Sequence, residues 1–130
     1  MGRRLKVFFD GGCRPNPGLM EAAVVIRGKS HFFNDLGTGS NSDAEWRALF
    51  CAIRLARHLG EHDVAFIGDS KEVISEANLA ATAGRALSAH AAVFLSIAAQ
   101  GRPGRIRWIK REQNLAGIAL EARRRGLVRP

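Results

Sequence analysis

The pattern of hydrophobic and polar positions divides the chain into predicted strands and helices. Apolar and alternating runs predict five strands, at residues 3–10, 21–27, 30–36, 64–67 and 105–110. Apolar positions at helical spacing predict four helices, at residues 43–60, 71–80, about 85–99 and 115–125. Only Gly28 and Lys29 separate the second and third strands, which predicts an antiparallel meander of the first three. The order βββαβααβα therefore predicts an α/β fold with a five-stranded mixed sheet flanked by helices.

Length and composition fit one globular domain over residues 1–130. The hydrophobic fraction is 46% and the charged fraction is 25%, both ordinary for a globular protein. No apolar run approaches the roughly 20 residues that span a bilayer, and the N-terminus is a poor match to a signal peptide. Cys13 and Cys51 are too few for a disulfide framework. We therefore expect a cytoplasmic protein with no membrane partner.

The positive charge is concentrated towards the C-terminus. The formal net charge is +8, yet residues 1–101 contain 11 Lys or Arg against 10 Asp or Glu, a balance of +1. Residues 102–130 contain 9 against 2, a balance of +7. Such a segment suits a polyanion such as nucleic acid, because each neutralised phosphate releases counterions. Charge alone equally allows a solubilising tail.

Three acids fall at similar places in the predicted elements. Asp10 ends the first strand, Glu45 lies in the first turn of the first helix, and Asp69 follows the fourth strand. Sites in mixed sheets gather where strand ends meet helix starts, and converging carboxylates repel each other unless cations lie between them. Mg²⁺ is a natural partner for such a group, because it takes a few carboxylates and keeps positions for water and phosphate oxygens.

Each acid also has a structural explanation. Asp10 could start a turn, and Glu45 could close a capping box that begins at Ser42. Asp69 could cap the following helix, although Ser70 is an equally good cap. Spacing alone leaves both interpretations open.

Four segments resemble the ribonuclease H type I family, in family order and over nearly the whole chain. FFDGGCRPNPG resembles the family's opening Asp and Asn-Pro-Gly turn, and SNSDAEWRAL its Asn-x-x-Ala-Glu helix start. FIGDSKEVI is similar to its Gly-Asp-Ser junction, and IRWIKREQN to its last strand and Arg-Glu-x-Asn loop. The resemblance implies a single ribonuclease H-like domain.

The resemblance also implies roles for individual residues. Asp10, Glu45 and Asp69 would be the catalytic residues and the ligands of two Mg²⁺ or Mn²⁺ ions. Other residues would contact nucleic acid: Gly11, Gly12, Cys13 and Asn16 along the RNA strand, Ser40 at a DNA phosphate, and Asn41 in the minor groove. Arg111 or Glu112 would stand in for a mobile His that some members use near the last helix. The family's basic protrusion is missing, and Arg102, Arg105, Arg107 and residues 123–125 are candidates to replace its charge.

One position departs from the family pattern. The fourth carboxylate, an Asp four residues after the loop Asn, corresponds here to Ile118, and the position before it is Gly117. Glu121 lies one turn later, and its longer side chain leans towards the N-terminus, which makes it a candidate replacement ligand. Asp43 is a further unexpected acid near Glu45. Otherwise the protein works with three carboxylates or binds without cutting.

These features predict a metal-dependent endoribonuclease that cleaves the RNA strand of RNA–DNA hybrids by two-metal hydrolysis. We expect a monomer that needs no small-molecule cofactor. The alternative is a catalytically impaired module that binds hybrids or double-stranded RNA. A structural domain whose acids only cap helices is a third possibility.

Overall fold

The computed structural model describes residues 4–101 and 106–126 of the chain. Its strands are β1 (Leu5–Cys13), β2 (Gly18–Ile26), β3 (Lys29–Phe33), β4 (Thr38–Gly39), β5 (Val64–Gly68) and β6 (Arg107–Trp108). Its α-helices are α1 (Asn41–His58), α2 (Lys71–Ala83), α3 (Ala89–Ala98) and α4 (Leu115–Arg124), and a 3₁₀ turn covers Arg111–Gln113. The predicted α/β fold is confirmed.

The strands form one mixed sheet in the order β3-β2-β1-β5-β6. β1 pairs antiparallel with β2, and β2 with β3, as the meander predicts. β5 lies parallel to β1, and β6 lies parallel to β5. The predicted count of five strands misses β4, which pairs with β2 beside the main path. This strand has only two residues in a Gly-rich stretch, so it carries no periodic signal.

Helices cover both faces of the sheet because the strands alternate their side chains. Val7 and Phe9 of β1 pack with α1, α2 and α3 in the larger core, whereas Phe8 faces the smaller core under Ala116 and Leu120 of α4. Asp10 has the same parity as Phe8 and therefore lies on the α4 side of the strand. In the described part of the chain, no helix is long and apolar enough to cross a membrane.

Several element ends differ from the predicted ones. β1 continues through Gly11 and Gly12 to Cys13, so the strand does not end at Asp10. Glycine lowers strand propensity, which made these residues look like a loop. The turn between β2 and β3 is Arg27-Gly28, both at positive φ. Arg102 and Arg105 lie outside the described residues.

Candidate active site

Three carboxylates from three elements meet at one edge of the sheet. Asp10 lies in β1, Asp69 directly follows β5, and Glu45 is the fifth residue of α1. β1 and β5 are parallel, with Phe8 opposite Ile67, so two residues further along Asp10 and Asp69 come side by side. Oxygen atoms of all three side chains lie within 4.8 Å of one another. The structure thus brings together the three acids that the sequence singled out.

None of the three acids caps a helix or starts a turn. Ser40, not Ser42, caps α1: its Oγ accepts from the N–H of Asp43, and the Asp43 carboxylate accepts from the N–H of Ser40. The alternative in which Glu45 closes a capping box that begins at Ser42 is therefore wrong, because the box joins Ser40 and Asp43. Ser70 caps α2, so Asp69 does not. Asp10 lies within a strand and starts no turn.

Burial and mutual repulsion raise the proton affinity of the cluster. Burial raises the pKa of Glu45 well above its ordinary value, and the neighbouring carboxyl group of Asp10 raises it further. Burial also raises the pKa of Asp10, with repulsion from Asp69 adding to the effect. Among the described residues, Oε2 of Glu45 is buried without a hydrogen-bond partner. Oxygen ligands at this spacing, with a spare buried acceptor, fit a divalent cation such as Mg²⁺ or Mn²⁺.

Asn114 contacts one of the three carboxylates, Asp69, and was not among the predicted site residues. It is fully buried, and its amide nitrogen donates to the backbone oxygen of Phe9 at 3.0 Å and to Oδ2 of Asp69 at 2.9 Å. Its Oδ1 accepts from the N–H of Ala116 and caps α4. One side chain therefore fixes Asp69, the end of β1 and the start of α4. The sequence signal was a polar residue directly before a helix.

Gly11 permits the close contact between β1 and α1 that positions Glu45. A Cβ at residue 11 would overlap the carbonyl oxygen of Ala44. At this short separation the N–H of Gly11 donates to Oε1 of Glu45 at 3.3 Å. Helix packing thus explains the missing side chain at residue 11.

The predicted nucleic-acid contacts cluster beside the carboxylates. The N–H of Cys13 donates to Oδ1 of Asn41 at 3.0 Å, and the N–H of Asn41 donates to Oδ1 of Asn16 at 3.1 Å. Cys13 is buried, as expected for a packed small residue. Ser40 uses a lone pair for the helix cap, and its hydroxyl proton stays available to an acceptor.

The candidate replacement acids are engaged elsewhere. Glu121 contacts Arg14 at 2.8 Å, Arg125 at 3.4 Å and Arg124 at 4.0 Å, and it lies outside the carboxylate cluster. Asp43 is held by the cap at Ser40 and by a 2.7 Å contact with His90, which together lower its pKa to about 2. The geometry therefore supports neither acid as a fourth ligand.

An open groove of about 1160 Å³ runs over the cluster. Gly117 faces it so closely that an added Cβ would lie 3.4 Å from Oδ2 of Asp10. Ile118, also in the groove wall, is 51% exposed, so it is not a core residue. Arg111 and Glu112 line the groove as well, and the positive charge of Arg111 opposes the rise in the pKa of Asp10.

Comparisons with known proteins agree with this architecture. Residues 8–122 match the model of the family described as reverse transcriptase-like. A stretch of 77 residues is 32% identical to ribonuclease HI of Halobacterium salinarum, covering 55% of this chain and 39% of that relative. The alignment thus spans about two fifths of the relative's length.

Solved structures share the fold. The RNase H1 of Halobacterium salinarum is 24% identical with a TM-score of 0.66, covering 92% of this chain and 98% of that one. LC11-RNase H1 in complex with an RNA/DNA hybrid is 24% identical with a TM-score of 0.69, covering 96% of this chain and 100% of that one. The N-terminal RNase H domain of rv2228c from Mycobacterium tuberculosis is 23% identical with a TM-score of 0.62, covering 98% and 100%. These structures show the predicted fold, and the family match over residues 8–122 supports the resemblance that the motifs indicate.

Proposed function

Because the chain belongs to the reverse transcriptase-like family, we propose that it is an endoribonuclease that hydrolyses the RNA strand of RNA–DNA hybrids. The main observation behind the proposal is that Asp10, Glu45 and Asp69 meet in an open groove of about 1160 Å³. A relative named ribonuclease HI and a structural neighbour solved with an RNA/DNA hybrid support the same substrate. The chain's net charge of +8 suits a polyanion.

Asp10, Glu45 and Asp69 would hold two Mg²⁺ or Mn²⁺ ions. When bound, such ions lower the pKa of a water and neutralise charge on a phosphodiester. The protein's part is to keep the ligands fixed. Asn114 orients Asp69 through its 2.9 Å hydrogen bond, and the Gly11 N–H orients Glu45. The products would carry 3′-hydroxyl and 5′-phosphate ends.

The residues around Cys13 would distinguish the two strands. We assign Gly11, Gly12, Cys13 and Asn16 to the RNA strand, where 2′-hydroxyls separate RNA from DNA. Ser40 would donate its hydroxyl to a DNA phosphate, and Asn41 would lie in the minor groove between them. The hydrogen bonds that link Cys13, Asn41 and Asn16 support this assignment, because they fix the three residues relative to one another.

The position of Ile118 sets the expected metal dependence. With an exposed apolar side chain where the family has an acid, and with Glu121 paired to arginines, the site has three carboxylates. One ligand fewer would weaken the hold of the site on a divalent cation. We therefore propose an active enzyme with an increased requirement for metal.

A cleavage assay tests the proposal. The full chain is incubated with an end-labelled RNA–DNA hybrid, the matching double-stranded RNA or the matching double-stranded DNA, in Mg²⁺ or Mn²⁺. We expect cuts in the RNA of the hybrid alone, abolished in Asp10→Asn. Asp63→Asn is the matched control, since Asp63 pairs with Arg4 on the surface and should keep full activity. Hybrid binding without cleavage in either metal would favour the non-catalytic module, and no binding at low salt would favour a structural domain.

A further inference from the structure

Three arginine side chains converge on Glu121 in the wall of the groove. The Glu121 carboxylate lies 2.8 Å from Nη2 of Arg14, 3.4 Å from Nε of Arg125 and 4.0 Å from Nη1 of Arg124. Arg14 follows β1, whereas the other residues belong to or directly follow α4. We call Arg14, Arg124 and Arg125 the arginine cluster. All three line the same groove as the carboxylates.

Arg124 is the fixed member of the arginine cluster. Its Nε contacts the carboxylate of Glu21, which lies opposite Gly12 in the β1–β2 pair. Its Nη2 is buried, would lie 3.0 Å from a Cβ at Gly12 and, among the described residues, has no hydrogen-bond partner. A guanidinium in this setting keeps unused donor capacity beside the segment that we assign to the RNA strand.

The charges of the group do not balance. The three arginines carry +3 and Glu21 with Glu121 carry −2, which leaves +1 in the groove wall. Side chains of Arg14 and Arg125 are 62% and 68% exposed, and pairs this exposed contribute little to stability. Arg124 and Arg125 are helix neighbours of Glu121, at i+3 and i+4, whereas Arg14 reaches the same carboxylate from the segment after β1. A carboxylate that accepts from several guanidinium groups resembles a phosphate group in its contacts.

We propose that the arginine cluster is a binding site for a backbone phosphate of the RNA strand, and that Glu121 occupies this site in the free protein. The assignment deepens the proposed function and rests on it. Arg14 and Arg125 turn from Glu121 to the phosphate when nucleic acid binds, while Glu21 keeps Arg124 in place. Glu121 thus weakens binding and is no metal ligand.

Binding measured in EDTA separates this role from a metal role. Fluorescence anisotropy with a labelled RNA–DNA hybrid gives the affinity of the full chain and of Glu121→Gln. We expect Glu121→Gln to bind about threefold to tenfold more tightly at about 50 mM salt, because a competing anion is gone. Its affinity should also fall more steeply with salt, by an additional slope of about 0.9 for one further phosphate contact.

Two further variants test whether the tighter binding of Glu121→Gln depends on Arg14. Arg14→Gln should weaken binding and reduce the salt slope, and in Arg14→Gln/Glu121→Gln most of the gain should be lost, since the freed guanidinium is absent. Glu61→Gln is the matched control: Glu61 pairs with Arg27 at 2.6 Å and does not line the groove, so its removal should leave binding unchanged. A hybrid with neutral methylphosphonate linkages in the RNA strand should abolish the gain, whereas the same linkages in the DNA strand should preserve it.

The outcomes distinguish the phosphate site from the proposed function. Parent binding with no gain in Glu121→Gln, or a gain that persists without Arg14, would overturn the phosphate site and leave the function standing. Weaker binding of Glu121→Gln than of the parent would overturn the phosphate site as well. If the parent and every variant fail to bind the hybrid at low salt, the proposed function fails, and the phosphate site fails with it.

Discussion

Replacing Glu45 by Gln should stabilise the metal-free protein and remove most of the stabilisation that Mg²⁺ provides. Gln has the shape of a protonated Glu: its oxygen can still accept from the N–H of Gly11, and its amide can donate to Asp10. The substitution removes one of three negative charges in a buried cluster. Its effect therefore reports the repulsion that a cation would relieve.

The magnitude follows from the spacing of the carboxylates. Two unit charges 4.8 Å apart, the limit for these oxygens, repel by about 3.5 kcal/mol at an effective dielectric constant of about 20. Relaxation and shared protons relieve part of this, so we expect a gain of about 1–3 kcal/mol in the unfolding free energy of Glu45→Gln in EDTA at about pH 8. For a chain of 130 residues this corresponds to a Tm increase of about 4–10 °C.

The pH dependence has a definite sign. Because folding raises the pKa of Asp10 and Glu45, protonation favours the folded state, and the parent loses stability as pH rises through the raised values. The advantage of Glu45→Gln should therefore be near zero at about pH 4 and grow towards pH 8. Glu61→Gln, which breaks a surface pair with Arg27, should show no such growth.

Thermal unfolding by circular dichroism, with EDTA or Mg²⁺ at each pH, is the assay. A ligand at about 100 times its Kd stabilises the folded state by about 2.7 kcal/mol, which the parent should gain and Glu45→Gln should largely lose. The Tm difference between Glu45→Gln and the parent should then become smaller or change sign in Mg²⁺. An equal or lower Tm for Glu45→Gln in EDTA at about pH 8 would refute the electrostatic reasoning.

Three other substitutions follow from the site. Ile118→Asp should lower the Mg²⁺ concentration for half-maximal cleavage about tenfold, near 1.4 kcal/mol, without unfolding the protein, because residue 118 is half exposed; an unchanged metal titration would contradict this. Gly11→Ala should cost more than about 2 kcal/mol in denaturant unfolding, whereas the added Cβ in Gly12→Ala meets side-chain ends of Arg124 and Asn41 rather than backbone and should cost less than about 1 kcal/mol; equal costs would contradict the helix-packing role of Gly11. Asn114→Ala should cost about 2–4 kcal/mol and slow cleavage, since it leaves Asp69 unoriented and α4 uncapped; a normal cleavage rate would contradict the positioning role.

The sequence predicted the parts of the fold that depend on periodicity. Buried strands such as residues 64–67 and the amphipathic α1 have patterns that arise from one face meeting a core. The prediction that Asp10 and Asp69 converge followed from their place after apolar runs. Glu45 needed the family motif as well, because a capping box starting at Ser42 explained it equally well.

The remaining errors concern contacts that local sequence does not encode. Ser40 and Ser42 are both good caps, and in the structure α1 begins after the earlier one. With Ser40 as the cap, Asp43 is the acid at position N3 of the capping box, and Glu45 takes no part in the cap. Likewise the length of the Glu121 side chain allowed it to replace the acid missing at residue 118, but in the structure it contacts Arg14 instead.

The electrostatic surroundings account for the placement of Glu121. A carboxylate that leaned towards Asp10 and Asp69 would add a fourth negative charge to a cluster that already raises the pKa of two members. Contact with Arg14 instead gives it an opposite charge at 2.8 Å. In the absence of metal the second arrangement is favoured, and a bound cation would reduce the difference. Glu121→Gln in EDTA and Ile118→Asp in Mg²⁺ therefore test separate groups: the first changes the arginine cluster alone, and the second changes the carboxylate site alone.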